Sequence, residues 1–267
     1  MYLENVVVDA RDPRRLGRFW ESLLGGATLT DETASYETRL TVPDGPTLDL
    51  CFELVDEPPR PSPRLHLEVY GGEVEEQAAV VERALSLGAT HLDIGQRDVP
   101  WVVLADPEGN AFCVMEARPE YAVSGPLSSL PLDSADVERD LAFWSELSGW
   151  VPVDSAMPGA LRHASGRGPL LELCPEPRPK EPGHKNGVHL DIRLEAGDDA
   201  DATAQRVLDL GGARFEHDWG DLPWQVMTDP SGNELCLLPA RSEDARSEDA
   251  ASSEDSSDDS ADGPQDA

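Results

Sequence analysis

Lysine is almost absent from this sequence of 267 residues. Lys180 and Lys185 are the only two, and 21 lysine and arginine residues face 53 acidic ones, which gives a formal net charge of −32. A charge of this sign and size repels phosphate backbones and anionic lipid surfaces, so nucleic acid and membrane are poor partners. The acidity makes small cationic compounds a hypothetical ligand class, although solubility alone also explains it.

Long apolar runs and paired cysteine motifs are lacking as well. No apolar stretch approaches the roughly 18–20 residues of a membrane span, and no leader segment precedes the first apolar run at Tyr2. The four cysteines have no CxxC spacing and no secretory context, which indicates reduced thiols in a cytoplasmic protein. Nucleotide-binding glycine patterns and a Gly-x-Ser-x-Gly elbow are missing too.

What the sequence does contain is a repeat. Trp101–Met115 and Trp224–Leu238 share a tryptophan, an Asp-Pro-x-Gly-Asn motif and a cysteine in the same order, at a shift of 229 − 106 = 123 residues. Asp-Pro opens a tight turn and Gly-Asn tolerates positive φ, so each stretch predicts a strand, a turn and a strand. The aspartates and asparagines of the two motifs are therefore predicted to be structural.

Each half of the chain predicts two units of one strand, one helix and three strands. Asp12 and Pro13 begin the first helix and Gly25 ends it, and proline-rich segments at 58–63 and 175–182 separate the units. The predicted fold class is α+β, with tandem domains at 1–120 and 127–240, each made of paired βαβββ units that form a bowl-shaped mixed sheet. Residues 241–267 hold ten acidic and two basic residues and are predicted to be a disordered acidic tail.

These motifs resemble the vicinal oxygen chelate superfamily, which includes glyoxalase I, bleomycin-resistance proteins and extradiol dioxygenases, and most closely its glyoxalase-like domain branch. The residues that carry the resemblance are Asp12-Pro13, Phe19-Trp20, Arg64–Glu68 and Asp106–Asn110, with Phe143-Trp144, Asn186–Asp191 and Asp229–Asn233 in the second copy. The resemblance implies a bowl that binds a small organic molecule, in a monomer or a homodimer. It does not specify an activity, so whether the chain is an enzyme is left open.

In metal-using members of the superfamily, the first and the last strand of each unit each supply one metal ligand, usually His or Glu. By position, the resemblance places Asn5, Cys51, His66 and Cys113 in one bowl, and Ser129, Cys174, His189 and Cys236 in the other. Only the two histidines match the usual ligands, which predicts that the usual metal site and glyoxalase I activity are missing. One alternative is a divalent ion, Zn, held by Cys51, His66 and Cys113 and by Cys174, His189 and Cys236; another is that the cysteines are small buried residues.

Further candidates for ligand binding accompany the histidines. His66 shares a strand face with Glu68, and His189 with Asp191, so each pair could act as a base and an orienting acid, or simply as a histidine satisfied by the backbone. Trp101 and Trp224 could offer apolar walls, or pack between sheet and helix. Three functions follow: a ligand-binding protein, a metal-dependent lyase, isomerase or dioxygenase that uses His66 or His189, and a non-catalytic scaffold or drug-sequestering resistance protein.

Overall fold

The computed structural model describes residues 1–57, 64–181, 183–217 and 219–241. The proline-rich segment 58–63 and the acidic tail from residue 242 onward lie outside the described residues, so the disordered tail stays a prediction.

Four βαβββ units follow one another along the chain. Unit 1 consists of β1 (Tyr2–Ala10), α1 (Pro13–Leu24), β2 (Ala27–Asp31), β3 (Ser35–Thr41) and β4 (Thr47–Leu54). Unit 2 consists of β5 (Glu68–Tyr70), α2 (Val74–Ser86), β6 (Thr90–His91), β7 (Val102–Ala105) and β8 (Ala111–Met115). Unit 3 consists of β9 (Leu127–Ser134), α3 (Val137–Ser148), β10 (Val151–Val153), β11 (Ala160–Arg162) and β12 (Leu170–Pro175). Unit 4 consists of β13 (Val188–Arg193), α4 (Ala200–Asp209), β14 (Ala213–Arg214), β15 (Gln225–Thr228) and β16 (Glu234–Leu238).

The first helix begins and ends where its sequence predicts. The Asp12 carboxylate accepts a hydrogen bond from the Arg15 amide at 3.1 Å, and Gly25 closes α1 in the left-handed conformation with φ of 74°. The strand predicted from residue 65 is shorter than expected, since β5 starts at Glu68 and Leu65 makes only an isolated bridge. No helix among the described residues is long and apolar enough to cross a membrane.

Each of the two eight-stranded mixed sheets combines one unit from either half of the chain. Sheet 1 joins units 1 and 4 in the order β14-β15-β16-β13-β1-β4-β3-β2, and sheet 2 joins units 2 and 3 in the order β10-β11-β12-β9-β5-β8-β7-β6. The first strands of the paired units lie antiparallel, β1 against β13 and β5 against β9. The α+β class and the paired units are confirmed. The partners within each sheet differ from the expected consecutive units, because a repeat shows which strands are equivalent but not which edges meet.

One face of each sheet packs on the helices and forms a core shared by both sheets. In β1, Val6 and Val8 point into this core, where Trp20 of α1 is also buried. Because side chains alternate along a strand, Asn5 and Asp9 point to the opposite side. We call this second side of each sheet, which faces away from the helices, the inner face. The predicted histidine, carboxylate and cysteine site residues lie on the two inner faces.

Candidate functional site

Glu68 lies at the centre of the inner face of sheet 2. Its strand neighbours in register are Cys113 on β8 and Ser129 on β9. The Ser129 hydroxyl donates a hydrogen bond to Glu68 Oε2. His66 Nε2 lies 3.7 Å from Glu68 Oε1, and potential ligand atoms of His66, Glu68 and Cys113 all lie within 4.8 Å of one another. The structure therefore brings these three predicted residues together.

A second carboxylate on this face, Glu172 of β12, was missed in the sequence. Glu172 is only 3% exposed, and burial together with the charge of Glu68 raises its pKa to about 7. Its Oε1 atom accepts no hydrogen bond from any described residue. Glu172 and Cys174 share a strand face, so the alternation of β12 is the signal that could have found it.

Aromatic and cationic groups surround this pair of carboxylates. Burial and the charges of Glu172 and Glu68 raise the pKa of the Tyr121 phenol. The Arg118 guanidinium lies 5.4 Å from the ring centroid of Tyr121 and 5.9 Å from that of Trp101. Trp101, predicted as an apolar wall, packs against the small apolar cluster that includes Cys113. It therefore lies beside the site and contacts Arg118.

The inner face of sheet 1 carries a related but different set. Asp191 of β13 lies between Asn5 and Cys236 in register, and Asn5 Nδ2 donates to Asp191 Oδ2 at 3.0 Å. His189 Nε2 lies 3.4 Å from Asp191 Oδ1 and 3.6 Å from Cys236 Sγ. Potential ligand atoms of His189, Asp191 and Cys236 lie within 4.8 Å of one another. The second predicted group is thus also assembled.

The two sheets differ in how they neutralise the equivalent carboxylates Asp49 and Glu172. Asp49, the counterpart of Glu172 at the shift of 123, is 1% exposed and forms two hydrogen bonds of 2.8 Å with Arg39. Arg162 is the counterpart of Arg39, but in sheet 2 it lies opposite Leu170 rather than opposite Glu172. This two-residue difference in register separates the guanidinium from the carboxylate. Within the described chain, Arg162 Nε has no hydrogen-bond partner.

The predicted cysteine sets require a correction. Cys51 lies in sheet 1 with His189, and Cys174 lies in sheet 2 with His66, because each sheet combines units from both halves. The predicted groups Cys51–His66–Cys113 and Cys174–His189–Cys236 are therefore wrong. In the part of the chain that the structure describes, neither Cys51 nor Cys174 belongs to a cluster with metal-ligand spacing.

The structure also places Trp224 differently from the prediction that it forms an apolar wall of the site. Trp224 precedes β15 and is 38% exposed. The apolar side chains that pack around Cys236 on this face include Phe215 and Leu222 instead. Sequence position alone did not distinguish a tryptophan beside the inner face from one at the surface.

Comparison with known proteins adds a family assignment. A family model described as a glyoxalase-like domain matches residues 5–115 and 129–238. Two mutants of glyoxalase I from Zea mays each share 17% identity and a TM-score of 0.58, with 89% of this chain covered and 92% and 93% of theirs. A candidate dioxygenase from Bacillus subtilis shares 14% identity and a TM-score of 0.56, with 92% of this chain and 87% of that chain covered. No curated protein matches the sequence.

Identities this low show a common fold and do not transfer an activity. The family model, however, covers most of the chain in two successive regions, at the same places as the sequence repeat. The chain therefore belongs to the glyoxalase-like domain family.

Proposed function

We propose that the chain binds a small organic molecule at the inner face of sheet 2, through Glu68, Glu172 and His66. The observation that supports this most directly is the buried Glu172 carboxylate, which has an unpartnered oxygen and a pKa of about 7. A buried acceptor without a hydrogen bond costs free energy, and an N–H or O–H group of a ligand would remove that cost. In sheet 1, Arg39 already supplies such a donor to Asp49.

The same geometry supports proton transfer to or from the bound molecule. A carboxyl group that titrates near neutral pH can both donate and accept a proton under working conditions. Glu68 receives the Ser129 hydroxyl hydrogen bond, and its negative charge helps to keep Glu172 protonated. An enzyme that uses this face would therefore rely on Glu172 as its acid–base group, with His66 beside it.

A metal-dependent enzyme is the second candidate, because His66, Glu68 and Cys113 fit a zinc ion. Zinc accepts imidazole nitrogen, carboxylate oxygen and thiolate sulfur, and the potential ligand atoms lie within 4.8 Å of one another. Burial and Glu68 raise the pKa of Cys113 to about 12, so this thiol would lose its proton only with a cation bound. A bound zinc ion would polarise a carbonyl oxygen or a water molecule as a Lewis acid.

A retention experiment tests the principal proposal. Protein purified without chelators is analysed by native mass spectrometry for bound small molecules, and Trp101 emission is followed during titration with a panel of small amines and alcohols. We expect Glu172→Gln to lose the bound molecule and the emission response. Asp191→Asn, which alters the sheet 1 counterpart of Glu68, should keep both. Equal behaviour of wild type and Glu172→Gln would overturn the proposal.

Elemental analysis separates the second candidate from the first. If the ligand binds without a metal, the purified protein should contain far less than one zinc ion per chain. Stoichiometric zinc that is lost in His66→Ala and Cys113→Ser, but kept in the control Cys51→Ser, would favour the metal-dependent enzyme instead.

A further inference from the structure

We propose that the chain has another ligand site, a cavity between the two sheets that binds a small organic anion. The cavity measures about 590 Å³ and is lined by residues that precede β5 and β13, together with Val8 of β1 and Ala111 of β8. Its volume lies in the range of roughly 300–1,000 Å³ that is typical of small-molecule pockets. Two inner-face residues, His66 and Asp133, also line it. The inference rests on the cavity's own lining and not on Glu68 or Glu172.

The concentration of basic side chains around the cavity is unexpected in so acidic a protein. Both lysines of the chain, Lys180 and Lys185, line the cavity, together with Arg64 and Arg178. His184 is a further lining residue, and its ring N–H can donate a hydrogen bond. A chain with a net charge of −32 thus concentrates four of its 21 lysine and arginine residues around one cavity.

Three of these cations are held in place by carboxylates that do not line the cavity. The pairs are Lys180 with Glu234 at 2.6 Å, Lys185 with Asp9 at 2.6 Å and Arg64 with Glu176 at 2.8 Å. Such pairs restrain the long side chains and reduce the entropy that they lose when a ligand binds. Arg178 and His184 are exposed, and no described carboxylate forms an ion pair with either of them. These two residues are free to contact an anion directly.

Three acidic residues, Asp106, Asp133 and Glu181, also line the cavity. Asp106 is 4% exposed, and its carboxylate accepts hydrogen bonds from Trp20 and Asn110 within the packed turn region. Burial raises the pKa of Asp106 and of Asp133. Glu181 is exposed to solvent, where its charge is screened.

The rest of the wall is apolar and suits a hydrocarbon body. Val8, Trp20, Leu65, Leu67 and Val188 all line the cavity and are largely buried. An apolar lining combined with the exposed Arg178 and His184 favours an amphipathic anion, such as an aromatic or branched carboxylate, sulfonate or phosphate.

The two copies of the repeat differ in residues that line the cavity. Where the segment before β5 meets the turn before β16, Arg64 donates a hydrogen bond to Asn233 Oδ1 at 2.7 Å, and Glu234 binds Lys180. At the shift of 123 the counterparts of Arg64 and Glu234 are Gly187 and Ala111, and both line the cavity. Two large side chains in one copy therefore correspond to two small residues in the other.

The test uses the full-length protein and two dyes that differ in charge. The anionic probe 8-anilinonaphthalene-1-sulfonate and the uncharged probe N-phenyl-1-naphthylamine share an aromatic body, and energy transfer from Trp20 reports binding near the cavity. We expect saturable binding of one anionic probe per chain, weakened by salt at concentrations of about 0.5 M because screening reduces charge attraction. The double variant Arg178→Ala with His184→Ala should bind the anionic probe about tenfold more weakly and the uncharged probe unchanged.

A filling variant gives an independent check. Ala111→Leu should reduce the binding of both probes, because the larger side chain occupies the cavity, while Arg206→Ala, at an exposed arginine outside the cavity, should change neither. Circular dichroism and the thermal unfolding midpoint confirm that each variant is folded. Unchanged binding of the anionic probe in the double variant, or its binding to Ala111→Leu as to wild type, would overturn the inference.

Discussion

The Trp144 indole donates a hydrogen bond to the buried Asp229 carboxylate at 3.1 Å, and Trp20 repeats this bond to Asp106 at 3.4 Å. Each bond joins the helix of one unit to the Asp-Pro turn of the next unit in the same half of the chain. The sheets, in contrast, pair units from different halves. The two kinds of contact interlock the halves, which explains why a single core includes residues of all four helices.

Removal of this bond should destabilise the protein. Trp144→Phe leaves Asp229, which is 2% exposed, with one donor fewer, and it also loses buried volume. We expect a loss of about 2 kcal/mol in the free energy of unfolding. Urea titration measures it, with the exposed Trp219→Phe as the control. Equal midpoints for Trp144→Phe and wild type would show that the repeated bond has no stabilising role.

Glu172 should make stability depend on pH. Its pKa is raised to about 7 in the fold from 4.5, because burial and Glu68 disfavour the charged form. The stabilising contribution of the protonated carboxyl is complete below pH 4.5 and is lost as the pH rises through about 7, a change on the order of 3 kcal/mol. Glu172→Gln should therefore be more stable than wild type above pH 7, and this advantage should disappear below pH 4.5. If the urea midpoints of both proteins changed with pH in parallel, Glu172 would not be the source of the pH dependence.

The arginines at equivalent positions of the two sheets, Arg39 and Arg162, should differ in how much they contribute to the free energy of unfolding. Arg39→Met removes two hydrogen bonds to Asp49 and leaves a carboxylate that is 1% exposed, so we expect a loss of about 3–5 kcal/mol. Arg162→Met removes a guanidinium whose Nε has no partner among the described residues and whose Nη2 donates to the Glu120 carbonyl, so its cost should be about 1 kcal/mol. Chemical unfolding compares the two variants, and equal losses would contradict the different environments.

The cysteines should be unreactive in the native protein. All four are free, and burial raises the pKa of each thiol, to about 12 for Cys113 and Cys174. Because the thiolate is the reactive form, alkylation by iodoacetamide at pH 8 should be at least about a hundredfold slower than in urea. Cys174 is the least buried and should react first. Mass mapping of the alkylated peptides provides the measurement, and rapid labelling of Cys113 would contradict this prediction.

Local structure and the repeat were determined by the sequence. Asp12 and Gly25 mark the ends of α1, and the Asp-Pro-x-Gly-Asn motifs form their turns, since capping and turn formation depend on residues close together in the chain. The α+β class and the membership of the glyoxalase-like family follow from the same repeated motifs. The proximity of His66 to Glu68 also followed, because alternate residues of a strand share a face.

Only the tertiary structure decided which units share a sheet and which residues meet across it. Strand pairing between distant segments depends on edges and packing, so the sequence placed Cys51 with His66, whereas the structure places it with His189. The same reason explains why Glu172 was missed. Its lack of an arginine partner results from a two-residue difference in strand register, and its raised pKa results from burial and from Glu68 on another strand. A pattern along one chain specifies the face that a side chain occupies, but folding specifies its neighbours.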